Sequence, residues 1–346
     1  MSIRTIGILT GGGDCPGLNA AIRAVVRKAA AYGISVLGVH NGWLGLIQDE
    51  IALLNRYSIS GILPRGGTII GTSRINPFDS KEYLQRIRDN WHKYGMQALI
   101  VVGGDGTLSA ATRMWRDEGY PVVGIPKTID NDLRGTDYTF GFDTAVDVAT
   151  SAIDRLHTTA ESHHRVMVVE VMGRHTGWIA AASAIAGGAD IALVPEVPFR
   201  ISKVCEILKR RREMGKTFSI VVVAEDARPH PSEDFLTPEQ RNQIYKHERL
   251  GGIGQLVANK IELLTQIQAR VTVLGYVQRG GTPTPFDRIL ASRFGIHAVE
   301  LVVEGKFGQM VAIQGSKITH VPLEYAVSGP KLLSEEFYRS AECFFG

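Results

Sequence analysis

The chain has 346 residues, 44% of them hydrophobic. A chain of this length is too long for a single hydrophobic core, which favours two domains. The formal charge is only +3, from 38 basic and 35 acidic residues, which argues against a dedicated nucleic-acid-binding protein. No apolar stretch reaches about 18 residues and the N-terminal apolar run is short, so neither a membrane span nor a signal peptide is expected. Cys15, Cys205 and Cys343 match no metal-ligand spacing, which favours reduced thiols in a cytoplasmic protein.

Strand-like and helix-like segments alternate along most of the chain. Residues 5–10 predict a buried strand that ends in glycines, and residues 20–32 predict the helix that follows it. Further predicted strands are 36–40, 98–102, 121–125, 166–171, 191–194 and 219–224, and further predicted helices are 108–118, 143–162 and 179–186. This alternation predicts parallel sheets with crossover helices on both faces. Three prolines within 226–240 indicate a surface loop, with a helix start at 237–239.

The first predicted strand runs into the glycine-rich loop TGGGDCPG, residues 10–17. Such a loop exposes backbone N–H groups, and the dipole of the following helix adds attraction for phosphate. The glycine spacing is also close to a dinucleotide fingerprint, which needs an acidic residue after the second strand. Residues 39–41, VHN, contain none, so a kinase is favoured over a nicotinamide-dependent dehydrogenase, and a tight turn without a ligand stays open.

A second glycine-rich loop, GGDGT at 103–107, follows another predicted strand. Its glycines would let a phosphate chain approach the backbone, and Asp105 is placed to hold Mg²⁺ directly or through water. The alternative is that Asp105 merely caps the next helix, but a cap does not need flanking glycines. We therefore expect a magnesium-binding role for Asp105.

The third loop is PKTIDND, residues 126–132. Asp130 and Asp132 are two positions apart, so an extended loop would point both side chains to one side. A carboxylate that accepts a hydroxyl proton during phosphoryl transfer would overcome the poor nucleophilicity of an alcohol. The alternative is an Asx turn in which the acids serve only the backbone.

Several arginines are candidates for binding phosphate. Arg74 and Arg174, in glycine-flanked loops, would neutralise charge on the transferring phosphoryl group. Arg165, Arg270 and Arg279 would clamp a sugar phosphate through bidentate hydrogen bonds. The alternative for each arginine is a solvated surface charge.

Eight segments, in this order, resemble 6-phosphofructokinases and span nearly the whole chain. They are TGGGDCPGLN (10–19), GGTIIGTSR (66–74), GGDGT (103–107), PKTIDND (126–132), GTDYTFG (135–141), VEVMGR (169–174), AGG (186–188) and GYVQRGGTPTPFD (275–287). The resemblance implies two similar three-layer α/β domains with mainly parallel sheets and an active site in the interdomain cleft. Residues 1–140 with 278–327 would form the nucleotide- and magnesium-binding domain, and residues 141–277 with 328–346 the fructose 6-phosphate-binding domain.

The resemblance also implies the reaction and its residues. A cytoplasmic homotetramer would phosphorylate the 1-hydroxyl of fructose 6-phosphate with ATP and Mg²⁺ in glycolysis. Asp130 would be the general base, Thr128 would assist it, Arg174 would stabilise the transition state, and Arg165 and Arg270 would come from a neighbouring subunit. The nucleotide would contact Gly13, Arg74, Ile75, Gly104, Asp105, Gly106 and Thr107. The sugar phosphate would contact Thr128, Asp130, Asp132, Arg165, Met172, Gly173, Arg174, Glu225, Arg270, Tyr276 and Arg279.

The chain departs from the family pattern at the positions that divide the family by donor. These are positions 106 and 127. Many ATP-dependent members have glycine at both positions, and pyrophosphate-dependent members have aspartate at the first and lysine at the second. This chain has Gly106 and Lys127. Because Gly106 leaves room for the α-phosphate, ATP is the expected donor and pyrophosphate the alternative. A non-catalytic sugar-phosphate sensor would be expected to lack Asp105 or Asp130, and both are present.

Two further departures concern the sugar and effector sites. Tyr276 replaces a histidine common in bacterial members, and its phenol can still donate a hydrogen bond to phosphate. Of the bacterial effector site, Arg23, Arg27 and Arg56 match, whereas His157, Asp190, Met214 and Thr217 do not. Regulation of the bacterial kind, by ADP or phosphoenolpyruvate, would require Lys216 and Arg210–Arg212 to compensate for these differences.

Overall fold

The computed structural model of the chain describes residues 3–233 and 252–346 and divides into two compact units. Unit 1 consists of Met1–Thr144 and Arg279–Pro330, and unit 2 of Ala145–Gln278 and Lys331–Gly346. Each unit is built on a mainly parallel sheet, so the predicted α/β fold class is confirmed. The helix start predicted at 237–239 lies outside the described residues.

The elements are numbered here in chain order, over the described residues. The strands are β1 (Thr5–Thr10), β2 (Ser35–Val39), β3 (Ile51–Leu54), β4 (Ala98–Gly103), β5 (Val122–Pro126), β6 (Val166–Val171), β7 (Ile191–Leu193), β8 (Ser219–Ala224), β9 (Ala269–Val273), β10 (Gln309–Gln314) and β11 (Lys317–Pro322). The helices are α1 (Leu18–Ala31), α2 (Trp43–Gln48), α3 (Lys81–Lys93), α4 (Asp105–Arg116), α5 (Phe142–His163), α6 (Trp178–Ala186), α7 (Ile201–Glu213), α8 (Ile253–Thr265), α9 (Pro285–Val303), α10 (Leu323–Ala326) and α11 (Glu335–Glu342). Short 3₁₀ turns cover Pro77–Asp79 and Gly275–Arg279. Among the described helices, none combines the length and apolar character needed to cross a membrane.

The sheet of unit 1 has seven strands in the order β11-β10-β5-β4-β1-β2-β3. Its central strands are parallel, whereas the edge strands β3 and β11 are antiparallel to their neighbours. Strand β4 is buried along its whole length, as expected for a strand covered by helices on both faces. The chain pattern had not predicted β3, β10 or β11.

Helices α1 and α9 pack closely against one another in unit 1. At Gly295 an added Cβ would lie 2.7 Å from the carbonyl oxygen of Ala21, so only glycine permits this approach. The alanine-rich sequence of α1 keeps its surface shallow, with Ala20, Ala21 and Ala29 fully buried. Small residues on both helices therefore bring their backbones together over the sheet.

The sheet of unit 2 has four parallel strands in the order β7-β8-β6-β9. Strands β6 and β8 are fully buried, yet β6 contains Glu170, which is 2% exposed. Its carboxylate accepts hydrogen bonds from Gly252 N at 3.0 Å and Gly254 N at 2.8 Å, at the start of α8. A negative charge is stabilised there by the helix dipole and by otherwise unpaired N–H groups.

The start of α4 differs from the prediction, which placed residues 103–107 in a loop and began the helix at residue 108. In the structure α4 begins at Asp105, and Gly104 is its N-cap residue. No side chain caps this helix, so the capping alternative for Asp105 is wrong. The glycine-rich sequence concealed the first helical turn because Asp105 and Gly106 are poor helix formers.

A buried polar cluster joins the first turns of α5 and α9. Asp287, fully buried, accepts hydrogen bonds through Oδ2 from Thr144 N at 2.9 Å and Thr144 Oγ1 at 2.6 Å. Thr284 Oγ1 accepts from Asp287 N at 3.2 Å and donates to Asp143 Oδ2 at 2.6 Å. Burial raises the pKa of Asp287 to about 6, because desolvation outweighs the hydrogen bonds that favour its charged form.

The raised pKa of Asp287 predicts a specific pH dependence of stability. Since the folded-state pKa lies above the ordinary value of 3.8, folding takes up a proton between these two values. The contribution of this group to the free energy of unfolding therefore falls as pH rises from roughly 4 to 6, by on the order of 3 kcal/mol. Asp287→Asn should remove that component, measured by urea unfolding across this range. Asp154→Asn, at an exposed position, is the control; an unchanged pH profile in Asp287→Asn would contradict the prediction.

Candidate active site

Three of the predicted loops lie side by side at one edge of the unit 1 sheet. Strands β1, β4 and β5 are parallel neighbours, and the register pairs Thr10 with Val102 and Gly103 with Pro126. The loops are hydrogen-bonded to one another, because Lys127 N donates to Gly103 O at 2.9 Å. Their carboxyl-end position is where α/β sheets bind ligands.

The first glycine loop is held by the segment at 66–74. Gly12 N donates to Ser73 O at 2.9 Å, and Thr72 Oγ1 donates to Gly12 O at 2.7 Å. Arg74 and Ile75, both predicted to contact the nucleotide, follow Ser73 in the chain. Arg74 is exposed and Ile75 is half-buried.

Arg279 contacts the same loop within unit 1. Its Nη1 donates to Asp14 O at 3.2 Å, and a Cβ added at Gly13 would lie 2.6 Å from that nitrogen. A side chain at position 13 would therefore displace the flexible guanidinium from its place against the loop. The resemblance implies that Arg279 contacts the sugar phosphate, and in the structure its guanidinium lies against the predicted nucleotide loop.

The second loop combines tight backbone packing with one open position. A Cβ added at Gly103 would lie 2.4 Å from Thr107 Cβ, so the turn into α4 excludes a side chain there. At Gly104 an added Cβ would be 3.4 Å from Lys127 O, which shows how closely the second and third loops approach. Gly106 differs, because an added Cβ there would meet no atom of the described residues within 4 Å.

Asp105 is exposed in the first turn of α4, where its carboxylate is available to a cation. No cluster of three or more His, Cys, Asp or Glu side chains suited to a metal occurs among residues 3–233 and 252–346. Magnesium usually takes one or two carboxylates and completes its shell with water and substrate phosphates. A lone exposed carboxylate therefore fits Mg²⁺ that arrives with a phosphorylated substrate.

The third loop bends rather than running extended. Asn131 has a φ of 52°, so the premise that Asp130 and Asp132 share one side of an extended segment is wrong. Thr128 causes the bend, because its Oγ1 accepts from Asp130 N at 3.1 Å and donates to Asp130 Oδ2 at 3.2 Å. Asn131 fixes the bend further by accepting from Thr139 N at 3.0 Å. Asp130, 3% exposed, is thus held by a neighbouring hydroxyl.

Lys127 is buried beneath the loops. The side chain is 3% exposed, and Nζ donates to Gly13 O at 2.5 Å, which ties the third loop to the first. Burial lowers the pKa of Lys127, Arg279 lowers it further, and Cys15 and Asp130 oppose the shift. The ammonium group therefore has a structural role inside unit 1, where it connects the third loop to the first. The sequence did not indicate that Lys127 is buried.

In unit 2 the segment Met172-Gly173-Arg174 follows β6, and side chains hold its backbone. Gly173 N and Arg174 N donate to Glu225 Oε1 at 3.3 and 2.9 Å, and Met172 N donates to Gln278 Oε1 at 2.8 Å. The Arg174 side chain is exposed. The structure thus brings together Met172, Gly173, Arg174 and Glu225, as predicted for one binding site.

Arg165 and Arg270 lie at the opposite end of the unit 2 sheet. Arg165 precedes β6, Arg270 pairs with Met167 near the start of β9, and Met172 follows the far end of β6. At about 3.3 Å per residue, Arg165 and Met172 are roughly 20 Å apart along the strand. The contribution of these arginines from a neighbouring subunit stays a prediction. Tyr276 is 77% exposed in the turn Gly275–Arg279.

The profile of the family described as Phosphofructokinase matches residues 5–302 of this chain. The chain belongs to the phosphofructokinase family. This assignment favours the kinase over the dehydrogenase alternative.

Curated phosphofructokinase relatives carry names for two different donors. The chain is 52% identical, over 99% of both proteins, to a "Pyrophosphate--fructose 6-phosphate 1-phosphotransferase" of Streptomyces coelicolor. It is also 50% identical, over 98% of this chain and 99% of the relative, to "ATP-dependent 6-phosphofructokinase 3" of the same organism. Similarity to the Pichia pastoris phosphofructokinase structure has a TM-score of 0.83 at 34% identity, and covers 95% of this chain but 36% of that one.

Two positions of the predicted effector site, Asp190 and His157, make hydrogen bonds within unit 2. Asp190, where other members have glutamate, pairs with Arg211 at 2.7 Å and accepts from Ile220 N at 2.8 Å through Oδ2. His157 Nε2 lies 2.8 Å from Gly187 O. These side chains are engaged within unit 2, and the sequence had not indicated either contact.

Sequence reasoning missed the buried Gln278, which adjoins Arg279 in the motif GYVQRGGTPTPFD. The one available signal was an uncharged polar residue between the predicted site residues Tyr276 and Arg279. Its burial and its bond to Met172 depend on tertiary packing and were not visible in the sequence.

Proposed function

We propose that this phosphofructokinase family member transfers the terminal phosphoryl group of ATP to the 1-hydroxyl of fructose 6-phosphate, as a cytoplasmic glycolytic enzyme. The observation that carries the choice of donor is the open space beside Gly106, at the N-terminal turn of α4. Helix N-termini attract phosphate, and a glycine with nothing facing it leaves room for one phosphate more than pyrophosphate has.

Asp130 acts as the general base. Its carboxylate accepts the proton of the 1-hydroxyl as the oxygen attacks the terminal phosphorus, while the bond to the leaving phosphate breaks. Thr128 Oγ1, 3.2 Å from Asp130 Oδ2, supports this role by keeping the carboxylate in one orientation. Asp132, two positions further along the same loop, helps to bind the sugar.

Asp105 holds the Mg²⁺ that accompanies the nucleotide, and the bound ion would neutralise charge on the transferring phosphoryl group. The first two glycine loops can approach the phosphates closely because Gly13 and Gly103 carry no side chain. Arg174 stabilises the transition state, and Met172, Gly173 and Glu225 bind fructose 6-phosphate. Tyr276 and Arg279 complete the sugar-phosphate set, with Arg165 and Arg270 supplied by a neighbouring subunit of a homotetramer.

Pyrophosphate is the second candidate donor. It is favoured by the 52% identity to a relative named for pyrophosphate and by the presence of Lys127. Against it, Lys127 Nζ is buried and already donates to Gly13 O, so that its charge is directed into the protein. The buried position of Lys127 supports ATP as the donor despite the mixed pair.

A donor assay tests the proposal. Purified protein with fructose 6-phosphate and Mg²⁺ is expected to form fructose 1,6-bisphosphate with a kcat/KM for ATP about 100-fold above that for pyrophosphate. Product formation is followed with aldolase-coupled NADH oxidation. Asp130→Asn protein, purified in parallel, controls for contaminating kinases. Turnover with pyrophosphate and none with ATP would refute ATP and establish the rival enzyme.

Gly106→Asp tests the steric and electrostatic basis of donor choice. The aspartate would project into open space, so folding should be unaffected, but its charge would repel the α-phosphate. We expect kcat/KM for ATP to fall about 10- to 100-fold, with a smaller effect on any pyrophosphate activity. Gly106→Ala, which adds volume without charge, is the matched control. Unchanged ATP kinetics in Gly106→Asp would count against the argument.

Asp130→Asn tests the proposed base. The amide cannot take up the proton, so kcat should fall by roughly two to four decades. Asp132→Asn, in the same loop, should lose less, and calorimetric titration with fructose 6-phosphate would show that both variants still bind. A near-wild-type rate in Asp130→Asn would remove it from the role of base.

A further inference from the structure

Three successive backbone amides after β6 are all held by side chains in unit 2. Met172 N is bonded to Gln278 Oε1, and Gly173 N and Arg174 N are bonded to Glu225 Oε1. Glu225 already belongs to the predicted sugar-phosphate site, whereas Gln278 has no assigned role. The two side chains nevertheless share one task, because they bind adjacent amides of one loop.

The backbone of this loop needs such support. Gly173 has a φ of 150° and Arg174 a φ of 50°, the latter in the left-handed region that residues other than glycine adopt only at a cost. Thr176 adds a constraint, because Thr176 N donates to Gly173 O at 3.0 Å. A strained loop returns to a lower-energy conformation when its hydrogen bonds are removed, and the direction of the Arg174 side chain would change with it.

The side chain of Gln278 is fixed in this contact by its burial and by the hydrogen bond that it accepts. It is 0% exposed, and Oε1 must face Met172 N because only the oxygen of the amide can accept that bond. Its Nε2 is buried and has no hydrogen-bond partner among residues 3–233 and 252–346. A buried donor without a partner lowers stability, so this side chain is poorly explained by stability alone.

The turn Gly275–Arg279 delivers Gln278 to the loop. Tyr276 and Val277 are 77% and 61% exposed in the same turn, whereas Gln278 points inward. Leu274 N donates to Glu170 O at 3.0 Å, which anchors the turn to β6 two residues before Met172. The turn and the loop are therefore parts of one hydrogen-bonded assembly at the end of β6.

From these contacts we infer that Gln278 is a positioning residue for phosphoryl transfer: it holds Met172 N and thereby fixes the loop that carries Arg174. This inference rests on the proposed function, in which Arg174 stabilises the transition state. Gln278 itself touches neither substrate and acts through the backbone.

The main test is Gln278→Met, which keeps the length of the side chain but removes the acceptor. We expect kcat to fall about 10- to 100-fold with an unchanged KM for ATP, since small displacements of a catalytic group have effects of this size. Gln278→Glu retains an acceptor oxygen and should keep kcat within about threefold of wild type. If Gln278→Met does not fold, Gln278→Glu decides alone, and a tenfold or greater loss in that variant would overturn the inference.

The Arg174→Ala background separates positioning from general destabilisation. If Gln278 acts through Arg174, Gln278→Met should lower kcat less than about threefold once Arg174 is absent. Leu208→Ala, in the core of unit 2, should lower the melting temperature without this change in kcat and serves as the stability control. Equal losses in both backgrounds, or a lower melting temperature with unchanged kcat in Gln278→Met, would overturn the inference. A wild-type protein inactive with both donors would instead contradict the proposed function.

Discussion

Parallel pairing of β1, β4 and β5 is the constraint on which the grouping of the candidate-site loops in unit 1 depends. Their shared direction places three strand ends, and hence three loops, at one edge of the sheet. The first loop, residues 10–17, is distant in sequence from the other two, residues 103–107 and 126–132, so no local interaction would bring all three together. Burial of the apolar strands on both faces fixes the register, since a one-residue slip would turn their side chains to the wrong face.

Within that frame, hydrogen bonds and glycine set the spacing of the loops. Lys127 fastens the third loop to the first through Gly13 O, and Thr107 occupies the volume that a side chain at Gly103 would need. Burying an ammonium group removes its favourable solvation free energy, and this loss lowers the pKa of Lys127. The carbonyl that accepts its hydrogen bond and nearby acidic groups offset part of this cost. The glycines of these loops therefore serve close packing as much as phosphate access.

The sequence was informative where periodicity and order carry the information. Alternation of apolar strands with helices was enough for the α/β class, because it reflects burial on both faces of parallel sheets. It was insufficient for β10 and β11, whose pairing depends on contacts distant in the chain. The bend at Asn131 and the early start of α4 at Asp105 went unpredicted because local hydrogen bonds and glycine's permissiveness override simple spacing rules. Gln278 was missed because a glutamine's burial cannot be read from its neighbours.

Overall similarity does not decide the donor, and the structure explains why. Two relatives of Streptomyces coelicolor, named for different donors, are 52% and 50% identical to this chain. Under the proposed function a few residues near the α-phosphate select the donor, so identity averaged over 340 residues is insensitive to the choice. Gly106 and Lys127 are not equivalent in this respect. Gly106 opens to space at a helix N-terminus, where under the proposed function a substituent would meet the donor, whereas the Lys127 ammonium is turned toward Gly13 O inside the protein. A residue that faces the donor can select it by repelling its phosphate charge or by leaving space for it. A buried residue acts only through the loop that it supports. The glycine therefore carries more weight than the lysine in the choice between donors.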